Sequence, residues 1–280
     1  MKQNEFELEE KYKLYRTVRE LLHPTISKRN ISNYKIVVDE KLLLLRVFYP
    51  KKVSNINDVI LFVPGEGDIT DCEGYYSDIL SNLSKELDKM IISIDYEKTT
   101  GDLTELCNRI KDTLLFIYHQ LRKENISIDH ISMMGDSTGA NLLLNCIKDV
   151  PLEDRKIGRM VLFYPVLSGE YSGTTKYNSI LENTSVNYNL IPKLKEYYKN
   201  SKKEDFPLAA NELVEYPTTL VLSGNVDPLV DEAKEFAERN NNVEIRIIDF
   251  AYHGFLNTKD KEIIKEYNRL LKQFMNNDEI

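Results

Sequence analysis

Short apolar, β-branched runs alternate along this chain with longer stretches whose apolar positions recur at helical spacing. That is the pattern of β-α units around a mostly parallel sheet. The apolar runs predict eight strands, over residues 34–38, 42–49, 59–63, 90–94, 130–134, 160–164, 218–222 and 243–249. Only Asp39, Glu40 and Lys41 separate the first two, which leaves no room for a helix, so an antiparallel hairpin is expected there. Helices are expected over residues 103–123, 138–148, 230–240 and 261–276, the first showing Leu106, Ile110, Leu114, Ile117 and Leu121 as one stripe.

Two regions fall outside this alternation. One runs to about residue 33, with a helical pattern over residues 5–22 that Pro24 stops. The other spans residues 167–216, rich in Tyr, Asn, Ser and Lys, with a weak helical signal near residues 191–198. A connection of about 50 residues is far longer than the usual handful between sheet strands, which points to a lid. Its Tyr171, Tyr177, Tyr188, Tyr197 and Tyr198 favour order over disorder. The expected organisation is one α/β domain over residues 1–280, with a cap contributed by about 1–33 and 167–216.

Composition narrows the function classes. At 280 residues and 42% hydrophobic content the chain can bury a sizeable core. The net charge of -8 offers no overall basic surface to neutralise a phosphate backbone, so a small-molecule ligand is expected rather than a nucleic acid. The first ten residues are highly charged and lack the apolar stretch of a secretory signal, and no run approaches the roughly 18 apolar residues of a membrane span. A cytoplasmic location without a membrane span follows as an expectation. Cys72, Cys107 and Cys146 form no paired motif, so neither a disulfide framework nor a zinc site is expected. No phosphate-cradling or dinucleotide-binding glycine pattern occurs, and no cofactor or metal is expected.

The chemistry concentrates at Gly135-Asp136-Ser137-Thr138-Gly139, which falls between a predicted strand and a predicted helix. A sharp strand-to-helix turn exposes a nucleophilic serine only if the residues two before and two after it are nearly free of side chains, a condition that Gly135 and Gly139 meet. A serine hydroxyl needs an imidazole to take its proton and a carboxylate to orient that imidazole. In this arrangement the order along the chain is Ser, acid, His. Of the four histidines, His23, His119, His130 and His253, only His253 follows Ser137. The acid is expected after the strand at 218–222, where Asp227 precedes a proline; Asp231, in the following helix, and Asp249 stay open as alternatives. Backbone N–H groups of Thr138, Gly65 and Glu66 are the expected oxyanion donors.

These residues resemble the hormone-sensitive-lipase-like group of carboxylesterases and acetyl esterases within the α/β-hydrolase superfamily. Gly135-Asp136-Ser137-Thr138-Gly139-Ala140-Asn141 is similar to that group's G-D-S-A-G-G-N, and Tyr164-Pro165-Val166-Leu167 to its Y-P-V-L. Asp95-Tyr96, Asp227-Pro228-Leu229-Val230-Asp231-Glu232 and His253-Gly254-Phe255 match further motifs. The resemblance implies an eight-stranded, mostly parallel sheet flanked by helices with a helical cap. It also implies Ser137, Asp227 and His253 as a triad hydrolysing small carboxylic esters through an acyl-enzyme. Two departures stand out: Pro64-Gly65-Glu66-Gly67 replaces H-G-G-G, and Glu97-Lys98-Thr99-Thr100 follows Tyr96 in place of R-L-A-P. Glu66 and Asp68 bring carboxylates beside the oxyanion site, which oppose negative charge there; Pro64 and Glu66 suit a ligand-binding protein that has lost turnover as an alternative, and a peptidase or amidase on the same triad is another. If the last strand lies at the sheet edge, it is the expected place for two subunits to pair.

Overall fold

The computed structural model describes residues 31–38, 41–51, 57–65, 69–96, 103–148, 157–169, 190–208 and 214–276. The expected helix at 5–22, much of the expected cap, and Glu66 lie outside these residues.

Eight strands form one sheet in the order β1-β2-β4-β3-β5-β6-β7-β8. They are β1 (Ile31–Val38), β2 (Lys41–Phe48), β3 (Val59–Val63), β4 (Met90–Tyr96), β5 (Ile131–Asp136), β6 (Met160–Phe163), β7 (Thr219–Gly224) and β8 (Val243–Ile248). β1 pairs antiparallel with β2, as the short connection requires, and β2 antiparallel with β4; every later pairing is parallel. Among the described residues the α-helices are α1 (Ile69–Leu87), α2 (Leu103–Lys123), α3 (Ser137–Lys148), α4 (Leu190–Tyr197), α5 (Val230–Arg239) and α6 (Lys261–Met275).

Alternation along each strand divides the core in two. Leu61 and Val63 of β3 face a cluster built with Leu106, Ile110 and Leu114 of α2, Leu142 and Leu143 of α3, and Phe236 of α5. Ile60 and Phe62 face the opposite way, onto Tyr76, Leu80 and Leu83 of α1 and Leu270, Leu271 and Phe274 of α6. The handedness of parallel crossovers explains this division. The β3-α1-β4 unit steps one way along the sheet, whereas β4-α2-β5, β5-α3-β6 and β7-α5-β8 step the other, so α1 is carried to the face opposite α2, α3 and α5. Between β2 and β4, a buried Arg46–Asp95 ion pair, with Ser93 Oγ donating to Asp95 at 2.6 Å, replaces water for two charges that the core encloses.

The reversal of direction around β3 and β5 leaves a crevice at the carboxyl ends of the strands, where ligands bind in open α/β sheets. Five of the residues singled out in the sequence reach this edge: Gly65 after β3, Ser137 and Thr138 after β5, Asp227 after β7 and His253 after β8. A smaller apolar cluster, Val166, Ile191, Leu194, Tyr198, Phe206 and Leu229, joins α4 to the loops after β6 and β7. Asn145 Nδ2 and Asn141 Nδ2 of α3 both donate to the Asp205 carbonyl, at 2.8 and 3.0 Å, fastening this layer to the helix that follows Ser137. None of the described helices is long and apolar enough to cross a membrane.

Candidate active site

β5 continues two residues past its predicted end, through Gly135 to Asp136, and α3 begins at Ser137 with no loop between them. So abrupt a change of direction forces Ser137 to φ 52°, in the left-handed region, where an L-residue with a side chain is strained by about 1–2 kcal/mol. The flanking glycines are required by contact. A Cβ on Gly139 would come within 2.3 Å of the Val63 carbonyl oxygen and 2.5 Å of the Pro64 carbonyl carbon, and one on Gly135 within 3.0 Å of Ala140 Cα. Backbone atoms cannot swing away, so Gly139→Ala is expected to destabilise the fold by about 1–3 kcal/mol and to displace Ser137. Denaturant melts and hydrolysis assays on the purified variant test both effects.

Ser137 Oγ lies 2.8 Å from His253 Nε2, and His253 Nδ1 lies 3.0 Å from Asp227 Oδ2 and 3.2 Å from Oδ1. The tautomer follows from the partners: an ionised carboxylate can only accept, so Nδ1–H donates to Asp227 and Nε2 is left to accept from the Ser137 hydroxyl. Asp227 is fully buried and oriented from behind by the Leu229 N–H, which donates to Oδ1 at 2.8 Å. The alternative acids lie elsewhere. Asp231 pairs with Lys234 at 3.6 Å on the first turn of α5, and Asp249 accepts from Asn225 Nδ2 at 2.9 Å. His119 is exposed on α2, and His130 pairs with Asp58 at 2.8 Å.

The oxyanion expectation needs one correction. The Gly65 N–H is turned into the protein, where it donates to Asp136 Oδ1 at 2.8 Å and approaches Tyr76 Oη at 3.2 Å. A buried carboxylate next door captures the donor, which is therefore not free for a substrate oxygen. Thr138 stands in the first turn of α3, whose leading N–H groups have no acceptor within the helix, while its hydroxyl donates to the Gly65 carbonyl.

Several groups here went unrecognised in the sequence. Burial pushes the Asp136 carboxyl up to about 6, against the opposing effect of hydrogen bonds from Gly65 N–H, Tyr76 and Tyr164. Tyr164, at φ 37°, reaches Asp136 Oδ2 at 3.2 Å while its ring packs 4.8 Å from the His253 ring. Tyr164 opens the Tyr-Pro-Val-Leu stretch, which gives it no role at the site, and Tyr76 is one of 17 tyrosines with nothing local to mark it. Glu232 accepts from the Leu167 N–H at 2.8 Å and from Ser168 Oγ, tying the loop after β6 to α5. Burial raises it to about 7, with the neighbouring Asp227 charge pushing the same way.

The sign of the Glu232 effect is definite. A carboxyl near 7 in the folded protein against 4.5 ordinarily adds stability that is complete below 4.5 and lost as pH rises through 7. Glu232→Gln keeps an acceptor for Leu167 and never charges. Thermal melts of both proteins at pH 5 and pH 8 should show the variant gaining on the wild type toward pH 8; a constant gap would show that Glu232 is not held protonated.

A family model described as the alpha/beta hydrolase fold matches residues 67–257, more than half of the chain. The chain belongs to this family, in its hormone-sensitive-lipase-like group. Among solved structures, an arylesterase superposes with a TM-score of 0.76 at 19% identity, covering 95% of this chain and 90% of that one. A thermostable carboxylesterase cloned from a metagenomic library gives 0.74 at 22% identity over 96% and 97%. The Francisella virulence factor BioJ gives 0.69 at 21% identity over 95% and 91%. Vegetative-specific protein H5 of Dictyostelium discoideum is 26% identical over 162 residues, 51% of this chain and 48% of that protein, so the match spans about half the relative's length.

Proposed function

We propose that this chain is a serine esterase acting on small carboxylic esters through an acyl-enzyme. The observation that carries this reading is the continuous path from Ser137 Oγ through His253 to Asp227, with hydrogen-bond distances of 2.8 and 3.0 Å, at a strained turn. Ser137 Oγ attacks the acyl carbon while His253 Nε2 takes its proton and Asp227 stabilises the imidazolium. The tetrahedral oxyanion is held by the Thr138 N–H and by the backbone following Gly65, where Glu66 is the expected donor. Collapse expels the alcohol, which leaves with the proton from His253. Water then attacks the acyl-Ser137 carbonyl, again through His253, and frees the acid and the serine. The arylesterase and carboxylesterase among the structural neighbours agree with an ester substrate.

The cap proposed over residues 1–33 and 167–216 is supported by the way α4, Tyr198 and Phe206 gather over the loops after β6 and β7. Pairing of two subunits through β8 is supported by its edge position and by Phe250, 82% exposed just beyond it. Beside the changes at Pro64 and Glu66, the turning of the Gly65 N–H toward Asp136 favours the alternative of a ligand-binding protein.

The test compares p-nitrophenyl acetate and butyrate with the matching anilide. Ester hydrolysis with an initial burst of about one product per active site is expected, with the anilide nearly untouched. Comparable anilide cleavage would make the protein an amidase, and cleavage of neither would favour the binding protein.

A further inference from the structure

Pro64 and Gly65 have no side-chain hydrogen-bonding groups to fasten their own loop, so the peptide that follows β3 is held from outside. Tyr96 Oη donates to the Pro64 carbonyl at 2.8 Å, the Gly65 N–H donates to Asp136 at 2.8 Å, and the Gly65 carbonyl accepts from Thr138 Oγ1. The peptide lies against the nucleophile: a Cβ on Gly65 would sit 2.9 Å from Ser137 Cβ. Tyr76 joins this network from α1, on the face of the sheet opposite α3. It is 1% exposed, with its ring 5.7 Å from that of Phe62 and its hydroxyl 2.9 and 3.0 Å from the two Asp136 oxygens. A phenol has one proton and two lone pairs, so Tyr76 donates to the carboxylate and accepts a share of the Gly65 N–H at 3.2 Å.

We propose that Tyr76 is a positioning residue for acyl transfer: its hydroxyl, acting with Asp136, locks the Gly65 peptide beside Ser137. This role rests on Ser137 being the nucleophile. An interaction that fixes the oxyanion side of the site acts on the transition state more than on bound substrate, so its loss lowers kcat and leaves KM nearly unchanged. It has a pH signature as well. The titratable groups facing the Asp136 carboxylate are Tyr76 from α1, Tyr164 from the loop after β6 and His253 from the loop after β8. The Tyr76 hydrogen bond favours the charged carboxylate, so removing it makes Asp136 take up a proton at higher pH.

Tyr76→Phe keeps the ring against Phe62 and deletes only the hydroxyl. With p-nitrophenyl acetate, kcat is expected to fall about tenfold with KM within about twofold of wild type, and the low-pH limb of kcat to move to higher pH. A variant that melts cooperatively, labels with a fluorophosphonate and keeps the wild-type kcat and low-pH limb would overturn the role. If Tyr76→Phe does not melt cooperatively, Asp136→Asn carries the same test, since its amide oxygen still accepts from Gly65 but cannot titrate. Its low-pH limb should then report fewer protons than the wild type's, and an unchanged limb would overturn the role. Wild-type protein that neither hydrolyses the ester nor labels would instead refute Ser137 as nucleophile, and this role with it, which separates the two failures.

Discussion

Ser137→Ala is expected to lower kcat on p-nitrophenyl esters by roughly 10⁴- to 10⁶-fold while leaving the protein folded. Removing the attacking oxygen closes the covalent route, whereas the 2.8 Å contact to His253 is the one side-chain hydrogen bond of Ser137 that the variant loses. Alanine inherits the backbone strain at φ 52°, so no large gain in stability is expected from it. Ser137→Gly separates the two contributions. It should be equally inactive yet melt above Ser137→Ala, because glycine occupies the left-handed region without a Cβ penalty. Full activity in either variant would mean that another group attacks.

Asp227→Asn is expected to cost about 10³- to 10⁴-fold in kcat. The argument comes from two neighbours competing for one side chain. Leu229 N–H donates to Oδ1, so an asparagine would keep its oxygen there and put its amide N–H₂ in the place of Oδ2, 3.0 Å from His253 Nδ1. Nδ1 would then have to accept, placing the imidazole proton on Nε2, where it blocks transfer from Ser137. Asp231→Asn removes an exposed charge on α5 and should change kcat by less than about twofold. Equal losses in the two variants would undo the assignment of the acid.

The contrast between what was legible in the sequence and what was not has physical causes. Strands β3 through β7 are buried between two layers of helices, which demands runs of Val, Ile, Leu and Met that sequence pattern exposes directly. The α2 stripe reads equally clearly, and the expected helix over residues 103–123 coincides with α2. Helix α1 is not among the expected helices, although Tyr76, Ile79, Leu80, Leu83 and Leu87 stand at helical spacing. Gly74 near its start, Ser81 and Asn82 on its outer side and the buried Ser84 hide that pattern. β5 outruns its expected end by two residues for a related reason: Gly135 reads as a turn, but it serves in the strand because α3 packs against it.

At the site, the meeting of Ser137, His253 and Asp227 was legible because histidine is scarce and the chain order restricts the choice. The direction of the Gly65 N–H is not legible, because it depends on which acceptor lies closest in space. Asp136, 71 residues away along the chain, supplies that acceptor at 2.8 Å. The contacts of Tyr76 and Tyr164 are hidden for the same reason: they end on a buried carboxylate that only the folded chain brings to them.

The central claim is that the Ser137 oxygen forms the covalent intermediate. Its most direct test is reaction of the purified protein with a fluorophosphonate, followed by mass spectrometry of the digested chain. A single adduct on the peptide containing Gly135 to Gly139, absent from Ser137→Ala, is the predicted result. Ester hydrolysis by a protein that carries no adduct on that peptide would contradict it.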